Sequence, residues 1–238
     1  MKWPFSQLFG NTKSIGDEAL IERYKAHRVA SRELHTDLAK QLPKPAVQEC
    51  GKKIGIFKAG TLILNNDDEI GILFDYALHH YYRAGKNTIQ RYFDNTQPPD
   101  GSMDKTLMRA LLESWYSVFR VVDVHPRQGV SLLDLVSGKT FDLVDLGLGD
   151  TATLGGILVG RILPVADFNM SSGTFVPVSE AVFEDHIKPI LRKFLKSDQT
   201  GIAPRLSTGQ MAAYVGEIIR VALHAGGSDN MFYSDVEA

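Results

Sequence analysis

The sequence has a single cysteine, almost no net charge and no long apolar run, and each absence excludes a class of protein. Because Cys50 stands alone, the chain can form neither an intrachain disulfide nor a zinc site built from several cysteines. Its 26 basic and 28 acidic side chains nearly cancel, so no global basic field attracts nucleic acid. No apolar run reaches the roughly 18 residues that a membrane helix needs. The first ten residues lack a secretory apolar core, which predicts a cytoplasmic protein with no membrane association.

One stretch fits a dinucleotide-binding fingerprint. Residues 147–152 match the pattern G-x-G-x-x-A, and Asp167 follows at the spacing typical of a ribose-binding acid. Such a site also needs a crossover helix after the glycines, and too few residues separate Ala152 from the next apolar run. We therefore predict that Gly147 and Gly149 lie in a turn between strands, and we expect no cofactor.

The histidines and the cysteine form no catalytic or metal-binding constellation in the sequence. His79 and His80 are adjacent, so on a helix they point about 100° apart and are expected to line a partly buried surface. His27 and His35 are two helical turns apart, roughly 12 Å, which is too far for one metal ion. A nucleophilic Cys50 would need a positioned histidine, which the sequence does not show, so Cys50 is interpreted as a structural cysteine. No catalytic residue and no metal ligand is predicted.

Hydrophobic periodicity divides the chain into three regions. Residues 1–115 are mainly helical, with a small β-hairpin at about 54–64. Residues 116–178 are short β-type runs separated by turns, and residues 179–238 form C-terminal helices with a mobile tail. The predicted fold class is therefore α+β, with N-terminal helices and a hairpin, a central small antiparallel β-barrel or bent sheet, and C-terminal helices.

Individual elements follow from the spacing of apolar residues. The predicted helices span about 17–42, 68–83, 103–114, 180–196 and 210–224, with a short one around 89–93, and the predicted strands span 118–124, 130–135, 140–144, 157–164 and 174–178. Ser14 should cap the first helix, a loop should follow from 197 to 209, and Pro189 should kink the helix that contains it. In the helix 68–83, Leu73, Phe74 and Leu78 should be buried, whereas Asp75 and Arg83 should be more exposed.

The first helix offers a candidate interaction surface. Its stripe is interrupted by two polar residues, and its members are Leu20, Tyr24, His27, Ser31, Leu34 and Leu38. An interface tolerates such polar groups at its rim, so Leu20, Tyr24, His27 and Leu34 are predicted to contact a partner. The alternative is that this helix packs on its own domain.

A second candidate surface is basic. Lys52, Lys53 and Lys58 surround Phe57 in the predicted hairpin, and cations interleaved with aromatic side chains are typical of single-strand binders. Three lysines are few, however, and residues 123–185 hold 9 acidic against 3 basic side chains. Binding of nucleic acid is therefore the least favoured hypothesis.

Two stretches carry a resemblance to known sequences. The first contains Leu73-Phe-Asp-Tyr76, Gly85-Lys-Asn-Thr-Ile89 and Arg91-Tyr-Phe93; the second contains Ser117-Val-Phe-Arg-Val-Val122, Gly129-Val-Ser-Leu-Leu-Asp-Leu135, Gly138, Val159-Gly-Arg-Ile-Leu-Pro164 and Ser172-Gly173. Over residues 50–178 the chain resembles a group of uncharacterised bacterial proteins, some of whose relatives carry a cysteine-rich SEC-C zinc-binding tail. The resemblance implies no activity, and because the cysteine motif is missing here, it implies no zinc.

Three functional hypotheses remain open. The leading one is a non-enzymatic module that binds a macromolecular partner, expected to be a protein or a second copy of the chain. The second is an enzyme of unrecognised type, whose site would lie where the barrel and the helices meet. The third is binding of nucleic acid through Lys52, Lys53 and Lys58. Fold alone does not choose among them.

Overall fold

Helices flank a small closed barrel in the computed structural model, which describes residues 17–195 and 206–226. The helices are α1 (Glu18–Lys40), α2 (Lys44–Ile54), α3 (Asp68–His80), α4 (Thr88–Thr96), α5 (Met103–Glu113), α6 (Leu146–Thr151), α7 (Glu180–Val182), α8 (Lys188–Leu195) and α9 (Thr208–His224), with a π-helical turn at Phe183–Ile187. The strands are β1 (Phe57–Lys58), β2 (Thr61–Leu62), β3 (Trp115–His125), β4 (Gly129–Asp134), β5 (Thr140–Val144), β6 (Ile157–Val165), β7 (Phe168–Ser171) and β8 (Val176–Val178). The predicted α+β class is confirmed. The expected cap at Ser14, most of the loop 197–209 and the C-terminal tail lie outside the described residues.

Strands β3 to β7 close into a five-stranded barrel. The spatial order is β3-β4-β5-β7-β6, and β6 pairs again with β3 to close the ring. All neighbours are antiparallel except β5 and β7, which are parallel, and α6 connects β5 to β6. This strand order, with a helix between the third and fourth strands, is that of an OB-type barrel. The pattern of short strands predicted the barrel but missed β7.

The strand β6 is buried on both faces. Leu158 and Ile162 point into the barrel, where they pack with a cluster of aromatic rings that includes Phe119. Ile157 and Val159 point outward and pack against the helices. Burial on both sides explains why this strand is almost continuously apolar, and it places every outward side chain of β6 beneath the helical layer.

The helix α2 was not predicted. Pro43 and Pro45 end α1 as expected, but Pro45 also lies in the first turn of α2, where a missing N–H costs nothing. Gly55 ends α2 with a φ of 89°. Ile54, assigned to the hairpin from sequence, is therefore the last residue of a helix, and the hairpin has only two residues in each strand.

Gly147 and Gly149 lie in the short helix α6 and not in the predicted turn between strands. Asp145 caps this helix by accepting a hydrogen bond from the backbone N–H of Leu148. A Cβ on Gly149 would come within 2.8 Å of the backbone of Gly129 and His125. The glycine therefore allows α6 to approach the β3–β4 turn closely. This close packing explains why a glycine is needed at position 149, and no bound nucleotide is required to explain it.

The buried face of α3 differs from the prediction at two positions. Leu73 and Leu78 are buried and Arg83 is exposed, as expected. Phe74 is only half-buried, and Asp75 is buried where exposure was predicted. A carboxylate inside a protein needs a partner, so the environment of Asp75 points to a specific interaction.

Two further features concern the helices. The interruption predicted at Pro189 takes the form of the π-helical turn that directly precedes α8, a local change that accommodates the missing N–H of proline. None of the helices within residues 17–195 and 206–226 is long and apolar enough to cross a membrane.

Candidate functional site

A cleft of about 450 Å³ lies between α2, α3 and α9. Its floor includes Tyr76 and His80 from α3, and Tyr81 and Tyr82 extend the wall beyond the end of that helix. The other lining residues come from α2 and α9, and they are Glu49, Lys53, Thr208, Gly209, Ala212, Ala213, Gly216, Glu217 and Arg220. We call this feature the His80 cleft. Its volume lies within the range of small-molecule sites.

Specific contacts fix the walls of the His80 cleft. The hydroxyl of Tyr76 donates a hydrogen bond to the carbonyl of Ala212 at 2.7 Å. Gly216 allows this approach, because a Cβ there would lie 2.9 Å from the Tyr76 hydroxyl. Across the cleft, the Arg220 guanidinium donates to the carbonyl of Lys53 with an Nε–O distance of 3.0 Å. Helix α9 is therefore joined both to α3 and to the C-terminal end of α2.

The imidazole of His80 has a defined tautomer. Nη2 of Arg161 lies 3.4 Å from Nε2 of His80, and because a guanidinium only donates, Nε2 accepts. Burial and the neighbouring charge of Arg161 lower the pKa of His80 well below its ordinary value, so the ring is neutral at pH 7. The proton of the neutral ring therefore resides on Nδ1. His80 is only 6% exposed, and Nδ1 has no hydrogen-bond partner among the described residues.

A buried ion pair stands behind His80. Nε of Arg161 donates to both carboxylate oxygens of Asp75 at 3.1 and 3.0 Å, and each of these side chains is 4% exposed. Nη1 of Arg161 lies 3.4 Å from the hydroxyl of Ser114, and its guanidinium lies 5.7 Å from the centre of the Tyr116 ring. Arg161 belongs to β6 and Asp75 to α3, so this pair lies where the barrel and the helices meet.

Two more histidines, the buried His79 and the partly buried His35, are close to this ion pair. Burial lowers the pKa of both His35 and His79, and Arg161 acts in the same direction. Nδ1 of His35 bonds the carbonyl of Ser31 at 2.7 Å, which leaves Nε2 as an acceptor. Nε2 of His35 and Nε2 of His79 both lack partners among the described residues. His79 and His80 are thus nearly fully buried, more so than predicted.

The chain belongs to a family of unknown function, DUF7986. The match covers residues 18–201, which include the barrel, α2 and α3 but not α9. No curated protein and no solved structure matches the chain. The predicted resemblance to uncharacterised proteins is confirmed at this level, whereas the bacterial grouping and the relatives with SEC-C tails stay predictions.

The stripe on α1 lies mainly inside the protein. Leu20, Tyr24 and Leu34 are buried in a cluster with side chains of α5 and of β6 and β7. His27 is half-buried, and its ring makes an edge contact with Phe168 at 5.4 Å between centres. In this structure the helix packs on its own chain, which was the alternative interpretation, and three of the four predicted contact residues have no surface to offer a partner.

The three lysines of the predicted basic patch are exposed but do not share one hairpin. Lys52 and Lys53 lie in the last turn of α2, and only Lys58 lies on β1. The Lys52 ammonium lies 5.6 Å from the centre of the Phe57 ring. Lys53 faces the His80 cleft instead. The hairpin therefore supplies one lysine of the three.

Sequence reasoning missed the ion pair and the cleft, although one signal was present. Arg161 is the single charged residue in the nine-residue strand Ile157–Val165. A charge in the middle of a strand buried on both faces requires a partner. No pattern along the chain indicates that Asp75 is that partner or that His80 lies between the pair and a cleft.

Among the described residues, no group of three or more histidine, cysteine or acidic side chains is arranged to hold a metal ion. Instead, Arg161 contacts both the carboxylate of Asp75 and the ring of His80. His80 also lines the cleft, so these buried side chains meet the protein surface there.

Proposed function

We propose that this chain is a non-enzymatic interaction module that holds a group of a protein partner in the His80 cleft. The observation that carries the proposal is the nearly buried ring of His80 in the lining of the cleft, whose buried Nδ1–H has no hydrogen-bond partner among the described residues. A buried donor without an acceptor costs about 1–3 kcal/mol. A hydrogen-bond acceptor supplied by a partner would remove that cost on binding.

The character of the lining supports binding by a partner protein. Tyr81 and Tyr82 are half-buried on the wall of the cleft, and tyrosine is enriched at protein interfaces. The walls are fixed by the hydrogen bonds of Tyr76 and Arg220, so little ordering of the module accompanies binding.

The chemistry of the lining favours binding over catalysis. Because the pKa of His80 is well below its ordinary value, the ring is a poor general acid at pH 7. Asp75 is engaged by Arg161 and does not line the cleft. Cys50 does not line it either, and burial raises the pKa of its thiol to about 11, which disfavours the reactive thiolate.

An enzyme is the second candidate, and one observation favours it. Perturbed histidines and a buried ion pair cluster where the barrel and the helices meet, and such clusters are common at catalytic sites. In that case His80 would act on a substrate in the cleft. Turnover of a bound molecule, lost on replacing His80, would favour this candidate over the module.

Native mass spectrometry of the full chain, purified under mild conditions, tests the proposal. We expect a retained partner that is lost in His80→Phe and in Tyr82→Ala. The matched control is His186→Phe, since His186 is exposed and is not one of the lining residues. Each variant is first checked by circular dichroism. A partner retained equally by all variants, or amide-exchange protection confined to another surface, would contradict the proposal.

A further inference from the structure

We propose that the group bound in the His80 cleft is a carboxylate, an assignment that rests on the proposed function and specifies its chemistry. The lining of the cleft combines the nearly buried, neutral ring of His80 with two cations, Lys53 and Arg220. Carboxylates accept hydrogen bonds at both oxygens and carry one negative charge. The following observations favour this group over a neutral amide and over a phosphate.

The first observation is the charge of the lining. Among the described lining residues, Lys53 and Arg220 are the cations, and Glu49 and Glu217 are the anions. Lys193, which lies outside the lining, pairs with Glu217 at 2.7 Å. The cleft and its immediate pair therefore carry a net charge of about +1. A monoanion neutralises this charge, whereas a dianionic phosphate leaves a negative excess that Glu49 would repel.

The second observation is the supply of donors. The Lys53 ammonium forms no ion pair among the described residues, and its charge acts on His80 by lowering the pKa of that ring. Arg220 uses Nε and Nη2 on the carbonyl of Lys53, so its Nη1 group remains for a ligand. The Lys53 ammonium and the Nη1 group of Arg220 therefore supply donors to the cleft from α2 and from α9.

The third observation is the position of α9. This 17-residue helix begins at Thr208, and its first residues, Thr208 and Gly209, line the cleft. The N-terminal end of a helix favours negative charge through its free N–H groups. This contribution adds to that of Lys53 and Arg220 and would not by itself define a site.

A matched set of probes tests the assignment. Benzoate, benzamide and phenyl phosphate share an aromatic ring and differ in charge, and they are titrated into the full chain while amide resonances are followed by NMR. We expect benzoate to bind at least ten-fold more tightly than benzamide or phenyl phosphate, with shifts at Tyr82 and Gly209. Long-range proton–nitrogen spectra should show the proton of the His80 ring on Nδ1.

Two lysine variants test whether Lys53 recognises the negative charge of the ligand. Lys53→Gln should weaken benzoate about ten-fold and leave benzamide unchanged, whereas Lys58→Gln should change neither. Benzamide binding as tightly as benzoate would overturn the carboxylate assignment while the cleft remained a binding site. Tightest binding of phenyl phosphate, or binding of none of the probes, would overturn it too; the retained-partner experiment judges the proposed function independently.

The carboxylate can come from a protein or from a small organic acid, and a competition separates these sources. A short peptide with a free C-terminal carboxylate is compared with the same peptide ending in an amide. Displacement of benzoate by the acid peptide alone assigns the carboxylate to a protein partner. Benzoate binding that neither peptide displaces assigns it to a small acid.

Discussion

The helices cover one side of the barrel and leave the other side bare. Both sides carry polar side chains, but only on the covered side does the stability of the fold depend on their partners. On β6, beneath the helices, Arg161 is bound to Asp75 and both side chains are 4% exposed. On β4 and β5, Ser131 donates to Asp142 at 2.6 Å, and both residues are partly exposed. Water can replace the partners of the second pair but not those of the first. The same strand alternation thus has different energetic consequences on the two sides.

The bare side also bears on the nucleic-acid hypothesis. In OB-type barrels the second and third strands commonly bind oligonucleotides, and these are β4 and β5 here. Their outward side chains are Ser131, Leu133, Thr140, Asp142 and Val144, and none is basic. Because single-strand binding relies on a cationic groove, the barrel topology adds no support for nucleic acid.

The largest effect is expected from breaking the buried pair. Asp75→Ala should lower the free energy of unfolding by about 3–5 kcal/mol, because it leaves the guanidinium of Arg161 buried without a counter-charge. The matched control is Asp167→Ala, which removes an exposed partner of Arg23 and should cost at most about 1 kcal/mol. Urea unfolding followed by circular dichroism measures both.

A double variant sharpens this comparison. Asp75→Leu combined with Arg161→Met removes both charges, and replacement of a buried pair by apolar residues is often nearly neutral. We expect the double variant to be more stable than Asp75→Ala. If Asp75→Ala and Asp167→Ala lowered the free energy of unfolding equally, the buried pair would contribute no more to stability than an exposed pair.

The next effect concerns close backbone packing. Gly149→Ala places a Cβ within 2.8 Å of backbone atoms of Gly129 and His125, and such overpacking typically costs about 1–3 kcal/mol. Gly209→Ala is the control, since, apart from its neighbours in α9, no atom of the described residues lies within 4 Å of its added Cβ, and alanine favours a helix by up to about 1 kcal/mol. Thermal unfolding should separate the two variants in opposite directions, and a neutral Gly149→Ala would contradict the packing role of α6.

Local patterns predicted much of the fold. The strand Thr140–Val144 was predicted with the bounds observed, because its alternation is set by neighbours along the chain. The helix α2 was missed because Pro43 and Pro45 were interpreted only as terminators, although proline also suits the first turn of a helix. Local sequence patterns therefore predict an element correctly unless a residue type, here proline, is compatible with two different structures.

The site could not be predicted in the same way, because distant residues form it. Asp75 and Arg161 are 86 positions apart, and the residues joined across the cleft, Lys53 and Arg220, are 167 apart. Periodicity assigned Asp75 to an exposed face because it treats a carboxylate as solvated. Only the tertiary structure places the buried guanidinium of Arg161 beside Asp75, and this cation makes burial of the carboxylate favourable.

The smallest effect, and the most specific to the covered side, is on the pH dependence of stability. Burial lowers the pKa of His35, His79 and His80 in the folded chain, whereas in the unfolded chain these rings titrate near 6.5. Below about pH 6.5 the unfolded chain therefore binds more protons than the folded chain. Its free energy of unfolding should fall with decreasing pH by up to about 1.4 kcal/mol per unit for each histidine, and should not depend on these rings above that pH.

Urea titrations at pH 7.5, 6.5 and 5.5 measure this slope, and the range stays above the region where most carboxylates titrate. His79→Gln should reduce the slope by the share of one histidine, because a glutamine cannot gain the proton in the unfolded chain. His186→Gln alters an exposed ring and should leave the slope unchanged. Since the comparison uses slopes, it holds even if His79→Gln lowers stability at every pH. Identical slopes for His79→Gln and the parent chain would mean that His79 is protonated as readily in the folded state as in the unfolded one. Water would then reach the covered side of the barrel as it reaches the bare side.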